Sequence, residues 1–218
     1  MQIVRVTADG LKFIQKGGYQ IDILKEWERD PPEEDLRTMT GLWYDFKRRR
    51  RDPVSPICRF RDDIPEVCAI LPTSEQALRF AVRSIRPNGK MHNHQSKVSR
   101  ALPAYEEKLM KHLGAFQKVD TFGSLHALLD LLRTPGIGPM TVYDVSVRYG
   151  AWLGLKPELI YIHAGTAAGL KALGISTLGW GESIPMDVLP AILRNKDPDE
   201  VEDFLCTYRM AFELIRRA

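Results

Sequence analysis

Two histidines lie two positions apart in the polar segment 88–95, which follows the helix-stopping Pro87. On an extended segment, His92 and His94 would face the same side, where two imidazoles can bind a metal ion or share a proton. A metal site normally needs a third or fourth ligand, and the sequence offers no second cluster, so we expect no metal and no cofactor. A surface loop in which Lys90 and Lys97 join the histidines on a phosphate explains the same residues more simply.

A third histidine, His163, precedes the small residues Ala164 and Gly165. Small residues allow a second backbone to approach closely, which suits a site in a cleft. A histidine at the start of a helix also acts as a cap or as a core residue. Both interpretations stay open for His163.

The most specific pattern is Thr-Pro-Gly-Ile-Gly-Pro-Met-Thr at positions 134–141, placed between two apolar helical segments. Gly136 and Gly138 allow a tight reversal of the chain and a close approach of the backbone to a partner. Ile137, between them, is suited to fill the space between the helices. The pattern therefore predicts a helical hairpin.

The second helix of this hairpin begins with a proline, whose missing N–H costs nothing in a first turn. The N–H groups of Met140 and Thr141 then point outward at the positive end of the helix dipole. Such a helix start is suited to binding a phosphate. A purely structural hairpin, or one that docks on another protein, is the alternative.

This pattern resembles the hairpin of the helix-hairpin-helix DNA glycosylases, the endonuclease III superfamily. The resemblance covers about residues 121–173, and Val142 replaces the usual alanine. It implies a hairpin that binds the DNA backbone without recognising sequence, and it implies a role in DNA repair. The matching residues are Pro135, Gly136, Ile137, Gly138 and Thr141.

The resemblance does not extend to the usual chemistry of that family. Met140 stands where lytic members carry a Schiff-base lysine, and His163 stands where the family has its catalytic aspartate. Cys206 is the only cysteine after the hairpin, so the four-cysteine iron–sulfur site is absent. Ordinary glycosylase or lyase activity is therefore not expected. The remaining catalytic candidates are His163, His92 and His94.

Periodicity predicts a mostly α-helical fold with a small β-containing N-terminal region. The resemblance implies that the helices form a glycosylase-like helix-hairpin-helix bundle. We expect residues 1–60 to form this β/α region and residues 61–218 to form a helical domain, with the hairpin at about 121–153. The N-terminal apolar runs up to Leu24 favour strands. Helices are expected at 33–51, 73–86, 99–113, 121–132, 139–153, 163–173 and 197–215.

The formal net charge is only +3, but the basic residues are unevenly distributed. Four consecutive arginines, Arg48, Arg49, Arg50 and Arg51, and the 90–100 segment with Lys90 and Lys97 could bind phosphates beside the hairpin. A solvated loop is the alternative for the arginine run.

The 218 residues are 44% hydrophobic and 27% charged, which excludes long disorder and fibrous repeats. No apolar run approaches the roughly 20 residues of a membrane helix, and the N-terminus does not resemble a signal peptide. Three cysteines without a CxxC pair favour a reducing compartment, so we expect a cytoplasmic protein without a membrane partner.

These observations favour a protein that binds double-stranded DNA through its backbone without sequence preference, with sensing of a modified or damaged base as a further option. An enzyme that acts on a nucleic acid or nucleotide with His163, together with His92 and His94, is the alternative. A protein-interaction module without DNA affinity is the second alternative.

Overall fold

The computed structural model describes residues 4–7, 10–13, 23–52, 55, 64–85, 89–176, 179 and 181–215. This part of the chain is mostly helical, as predicted, and none of its helices has the length and apolar character needed to cross a membrane. The helices are α1 (Ile23–Arg29), α2 (Met39–Arg51), α3 (Ile64–Ala69), α4 (Ser74–Arg83), α5 (Asn93–Lys97), α6 (Leu102–Lys111), α7 (Leu113–Phe116), α8 (Phe122–Leu131), α9 (Pro139–Leu153), α10 (Ala164–Ala172), α11 (Pro198–Tyr208) and α12 (Phe212–Ile215), with one 3₁₀ turn at Met186–Val188.

The β structure consists of two short antiparallel pairs. Strands β1 (Val4–Thr7) and β2 (Gly10–Phe13) form a hairpin, which confirms the small β-containing N-terminal region. Strands β3 (Ile160–Tyr161) and β4 (Ser183–Ile184) form the second pair. The strand expected to reach Leu24 is wrong at its end, because α1 begins at Ile23. Ile23, Leu24 and Trp27 contact the same core, a spacing that one face of a helix provides.

The described residues form two main hydrophobic cores. The first joins α1 and α2 to the C-terminal segment, with Trp43 and Phe46 packed against Phe204. The second lies within the middle of the chain and joins α3, α4 and α6 to α8 and α9. The first core therefore draws residues from both sides of position 60, where the sequence predicted the division into two regions.

Most helix starts follow the local signals of the sequence. The hydroxyls of Thr73 and Thr121 accept hydrogen bonds from the N–H groups of Gln76 and Ser124, so α4 and α8 begin with side-chain caps. Prolines occupy the first turns of α9 and α11. These signals place the hairpin helices within one residue of their predicted bounds.

Helices α10 and α11 approach so closely that a glycine is required between them. A Cβ on Gly169 would lie 2.2 Å from the carbonyl oxygen of Leu205. We expect Gly169→Ala to destabilise the fold by roughly 1–3 kcal/mol, because the two helices must separate. Urea unfolding measures this, with Gly123→Ala as the control.

Gly123 lies on the exposed face of α8, where a Cβ would meet only the Tyr161 hydroxyl at 3.9 Å. Alanine there has room and a better helix propensity, so the control should keep or raise stability. Equal midpoints for the two variants would contradict a tight contact between α10 and α11.

Candidate functional site

The turn between α8 and α9 has the form that the sequence predicts. Gly136 adopts a φ of +90°, a left-handed conformation that favours glycine. Ile137 is 6% exposed and packs in the core that α8 and α9 share. Gly138 is the N-cap of α9, and a Cβ there would meet no atom within 4 Å.

No side chain caps the start of α9, a helix of 15 residues. Pro139 has no N–H, so the first donors are those of Met140 and Thr141. The Thr141 side chain is buried, as is that of Ile137, and only the backbone of these two residues could meet a ligand. The arrangement presents N–H groups at the positive end of a helix dipole, which suits an anion.

The segment between α5 and α6 lies against the hairpin turn. A Cβ on Gly136 would lie 3.0 Å from the Cβ of Ala101, so the residues just before α6 flank the turn. Lys97 and Arg100 are exposed in this segment, and Lys90 is exposed ahead of α5. The end of the 90–100 segment therefore lies beside the hairpin turn, and a contact of its basic residues with DNA stays a prediction.

His92 and His94 lie next to the hairpin helix, where they meet Asp144 of α9. His92 is the N-cap of α5 and is 5% exposed, and the ring of His94 lies edge-on to it, with centroids 4.9 Å apart. His94 Nδ1 is 3.0 Å from Asp144 Oδ2, and the Gln95 amide donates to the same oxygen at 2.9 Å. The predicted extended segment is wrong, because a helix begins here, yet the two imidazoles do come together.

A buried arginine on α9, Arg148, contacts this cluster. Arg148 Nη1 donates to the Ser84 hydroxyl at 2.6 Å, and Nη2 lies 3.3 Å from His92 Nδ1 and 3.6 Å from Asp144. Burial opposes ionisation of Asp144, but the charges of Arg148 and His94 outweigh it and hold the pKa of Asp144 well below its usual range. Burial likewise opposes the charged form of His94, but Asp144 raises the pKa of His94 above its ordinary value.

His163 caps α10 and is held by a carboxylate from α11. Its Nε2 bonds to Glu202 and lies 3.0 Å from the Thr166 hydroxyl, while Nδ1 faces the Gly165 N–H at a longer 3.3 Å. Both ring nitrogens therefore have partners, which fits the capping alternative for this residue. Burial would lower the pKa of His163, but the charge of Glu202 outweighs burial and raises it.

The stability of the protein should depend on pH through this pair. Since the pKa of His163 is raised in the folded state, its contribution is complete below the unfolded value of about 6.5 and is lost as the pH rises through the folded pKa. We expect Glu202→Gln to remove this dependence. Urea unfolding of both proteins between about pH 6 and pH 9 measures it.

Glu200→Gln is the matched control, because Glu200 lies on the same helix but pairs with Lys47 instead. The stability difference between Glu202→Gln and the unsubstituted protein should shrink as the pH rises, and the control should show no such trend. Parallel pH profiles for all three proteins would contradict the assignment.

The two histidine–carboxylate pairs are close enough to act on one another. Besides burial and Asp144, the charge of His163 also affects His94 and lowers the pKa of His94. Besides burial and Glu202, the charge of Asp144 also affects His163 and raises the pKa of His163. Tyr143, which precedes Asp144 on α9, has its ring 6.4 Å from that of His163. The structure thus places the 92–94 segment and His163 along the first turns of α9.

The arginine run forms the last part of α2, and most of its guanidinium groups pair with carboxylates. Arg49 is 1% exposed, and its Nε donates to the buried Asp45 at 2.9 Å. Arg48 pairs with Asp45 at 3.0 Å and with Asp30 at 3.1 Å. The prediction that Arg49 contacts DNA is therefore wrong, because its guanidinium is inside the protein, and the solvated-loop alternative is wrong as well.

The rest of the run lies far from the hairpin. Arg50 bonds to Asp203, and Arg51 lines a cavity of about 590 Å³ together with Ala151 and Gly154. Ala151 and Gly154 are at the C-terminal end of α9, and a helix of this length spans about 22 Å. Arg50 and Arg51 therefore lie near the opposite end of α9 from the hairpin turn, and their contact with DNA stays a prediction.

Comparison with known proteins gives no match. No protein-family model, no curated protein and no solved structure matches this chain. The resemblance to helix-hairpin-helix glycosylases thus rests on the hairpin residues alone.

Sequence reasoning missed the partners that complete both histidine sites. In the sequence, Asp144 and Arg148 are polar positions in an apolar helical segment, and Glu202 is one of several acids near the C-terminus, so the pattern does not single them out. A signal existed in α9, where Asp144 and Arg148 are four residues apart on a helix that is otherwise mostly buried. Charges on such a face need partners inside the protein.

Proposed function

We propose that this protein binds the backbone of duplex DNA without sequence preference, through the hairpin of α8 and α9. The observation that carries the proposal is the uncapped start of α9, where Gly138 leaves open space in front of the N–H groups of Met140 and Thr141. A phosphate there accepts hydrogen bonds from the backbone and meets the positive end of a long helix dipole.

The surroundings of the hairpin support the same ligand. Arg100, next to the Ala101 that contacts Gly136, is exposed, and Lys97 at the end of α5 and Lys90 ahead of α5 are exposed as well. Lysine and arginine side chains around a phosphate site add affinity for a polyanion but no base recognition. The interface therefore fits nonspecific contact with a backbone.

The binding constant should fall steeply with salt. Contact with about three phosphates predicts a slope of about −2.7 for log K against log salt concentration. The measurement is fluorescence anisotropy of a labelled generic duplex titrated with the full chain over a series of salt concentrations. A second duplex of unrelated sequence should bind equally well.

A double substitution tests where the duplex lies. Lys97→Ala with Arg100→Ala should make the slope shallower by about 2, because two phosphate contacts are lost. Lys171→Ala is the control, since Lys171 is exposed in the last turn of α10, outside the hairpin and the 90–100 segment. Absence of binding at low salt, or an unchanged slope in the double variant, would overturn the proposal.

A second candidate function is acid–base catalysis on the bound nucleic acid. The side chain of His94 is 34% exposed, its Nδ1 bonds to Asp144, and no described residue bonds its Nε2. A histidine oriented by a carboxylate in this way can take up or release a proton at the free nitrogen. His94→Gln should then keep DNA affinity while any strand cleavage or base release is lost.

A further inference from the structure

We propose that His92, His94 and Asp144 form a binding site for one divalent first-row transition-metal ion. Among the described residues this is the group whose ligand atoms converge, with one atom from each residue and all of them within 4.8 Å of one another. Two imidazoles and one carboxylate are a frequent protein ligand set for zinc and for iron(II), and they leave further positions open. Mg²⁺ and Ca²⁺ prefer oxygen ligands, so they fit this set poorly.

One distance within the cluster suits such an ion, and the other ligand atoms, which lie within 4.8 Å of one another, would move closer on binding. Two adjacent ligands at about 2.1 Å from an octahedral ion lie about 3.0 Å apart. His94 Nδ1 and Asp144 Oδ2 are separated by 3.0 Å. In the protein without metal the imidazole N–H donates to the carboxylate, and the ion takes the place of that proton.

Neighbouring side chains hold the three ligands in place. The Gln95 amide donates to Asp144 at 2.9 Å, and its oxygen lies 3.1 Å from His92 Nδ1. Partners of this kind orient metal ligands and are a regular part of such sites. His92 caps α5 while Asp144 belongs to α9, so the ion would join two elements that are otherwise in contact through few residues.

Arg148 sets the strength of the site. Its guanidinium lies 3.6 Å from Asp144, so part of the carboxylate charge is already balanced. A cation must compete with this charge, which predicts a site weaker than a structural zinc centre. If no metal binds, the same contacts amount to a buried ion-pair network between α9 and α5.

The site does not depend on the proposed function, although the two adjoin. Asp144 follows Met140 by four residues, which corresponds to about 6 Å along the helix axis. A phosphate at the hairpin and an ion at the cluster would therefore be neighbours. Metal binding is tested without nucleic acid, so failure of either proposal leaves the other in place.

The test is a titration of the chelator-treated full chain with Co²⁺, followed by visible absorption. We expect ligand-field bands that saturate at one ion per chain and that disappear when Zn²⁺ is added. His94→Gln should weaken Co²⁺ binding by more than about 100-fold, beyond the 10–100-fold typical for residues that only orient a ligand. The side chain of His94 is partly exposed, so this variant should fold, and circular dichroism checks that it does.

His112→Gln is the matched control, because His112 is exposed at the end of α6 and its ring Nδ1 bonds to the Lys108 carbonyl. It should bind Co²⁺ as the unsubstituted protein does. Absence of ligand-field bands together with no thermal shift from Zn²⁺ would overturn the proposal. Equal Co²⁺ affinity in a folded His94→Gln variant, or loss of binding in His112→Gln, would overturn it too.

Discussion

Gly138→Asp is expected to weaken duplex binding by more than about a hundredfold and to leave the protein as stable as before. The new carboxylate would occupy the open space at the start of α9, where a Cβ meets no atom within 4 Å. There it would accept the N–H bonds offered to a phosphate and repel the phosphate itself. Losing two hydrogen bonds to a charged group costs about 3 kcal/mol or more, which corresponds to this loss of affinity.

The same substitution should not harm the fold. Aspartate is a favoured N-cap and interacts well with the positive end of a helix, so thermal stability should stay constant or rise slightly. A variant that is more stable but no longer binds DNA separates a contact at this position from an indirect effect through unfolding. Anisotropy and a thermal melt of the same preparation measure both quantities.

Gly114→Asp provides the matched control for charge. Gly114 is exposed on α7, and a Cβ there also meets nothing within 4 Å. Both variants lower the net charge by one, so a general loss of attraction to DNA would affect them equally. Equal affinities for the two variants would contradict binding at the hairpin.

The hairpin could be predicted from the sequence because its signals are local. Thr121 caps α8, Gly136 takes a positive φ, and Pro139 starts α9. Each of these residues acts on neighbours within a few positions, so the pattern determines the turn and the bounds of both helices. α5 was missed because His92, rather than one of the usual capping residues, starts it.

The candidate site could not be predicted completely, because its contacts join distant positions. His94 is 50 residues from Asp144, and His163 is 39 residues from Glu202. Nothing in the spacing of these residues specifies that α9 carries one carboxylate to α5 while α11 carries another to α10. Packing of the two cores determines these pairs, and the sequence pattern indicates only which helices are apolar.

The arginine run is a clear local signal that led to a wrong functional prediction for Arg49, because this residue stabilises the fold. Four adjacent basic residues suggest a phosphate-binding surface, but a helix directs consecutive side chains to different faces. Arg49 thus points into the first core while Arg51 stays exposed. Two of the acids that pair with the run, Asp30 after α1 and Asp203 on α11, are distant in the sequence, whereas Asp45 lies four residues before Arg49 on α2 itself.

Asp45→Asn should produce the largest loss of stability that a single polar substitution can cause in this protein. Asp45 is fully buried and accepts hydrogen bonds from Trp27 Nε1 at 2.7 Å, from the Tyr208 hydroxyl at 2.7 Å and from Arg49 Nε at 2.9 Å. Removing its charge breaks its buried pair with Arg49 and leaves that guanidinium, among the described residues, only its pair with the half-exposed Asp30 at 3.1 Å. Breaking a buried pair in this way costs about 3–5 kcal/mol, which urea unfolding measures.

Asp35→Asn is the control, because Asp35 forms an exposed pair with Arg37 at 2.9 Å. Such a pair is screened by solvent, so the urea midpoint should not change. The comparison also decides the role of Arg49. If Arg49 served mainly to contact DNA, Asp45→Asn would release its guanidinium and strengthen duplex binding at unchanged stability. We expect the reverse, a large loss of stability with no gain in affinity, because Asp45 accepts hydrogen bonds from Trp27 of α1, from Arg49 of α2 and from Tyr208 of α11 and so ties these helices into one core.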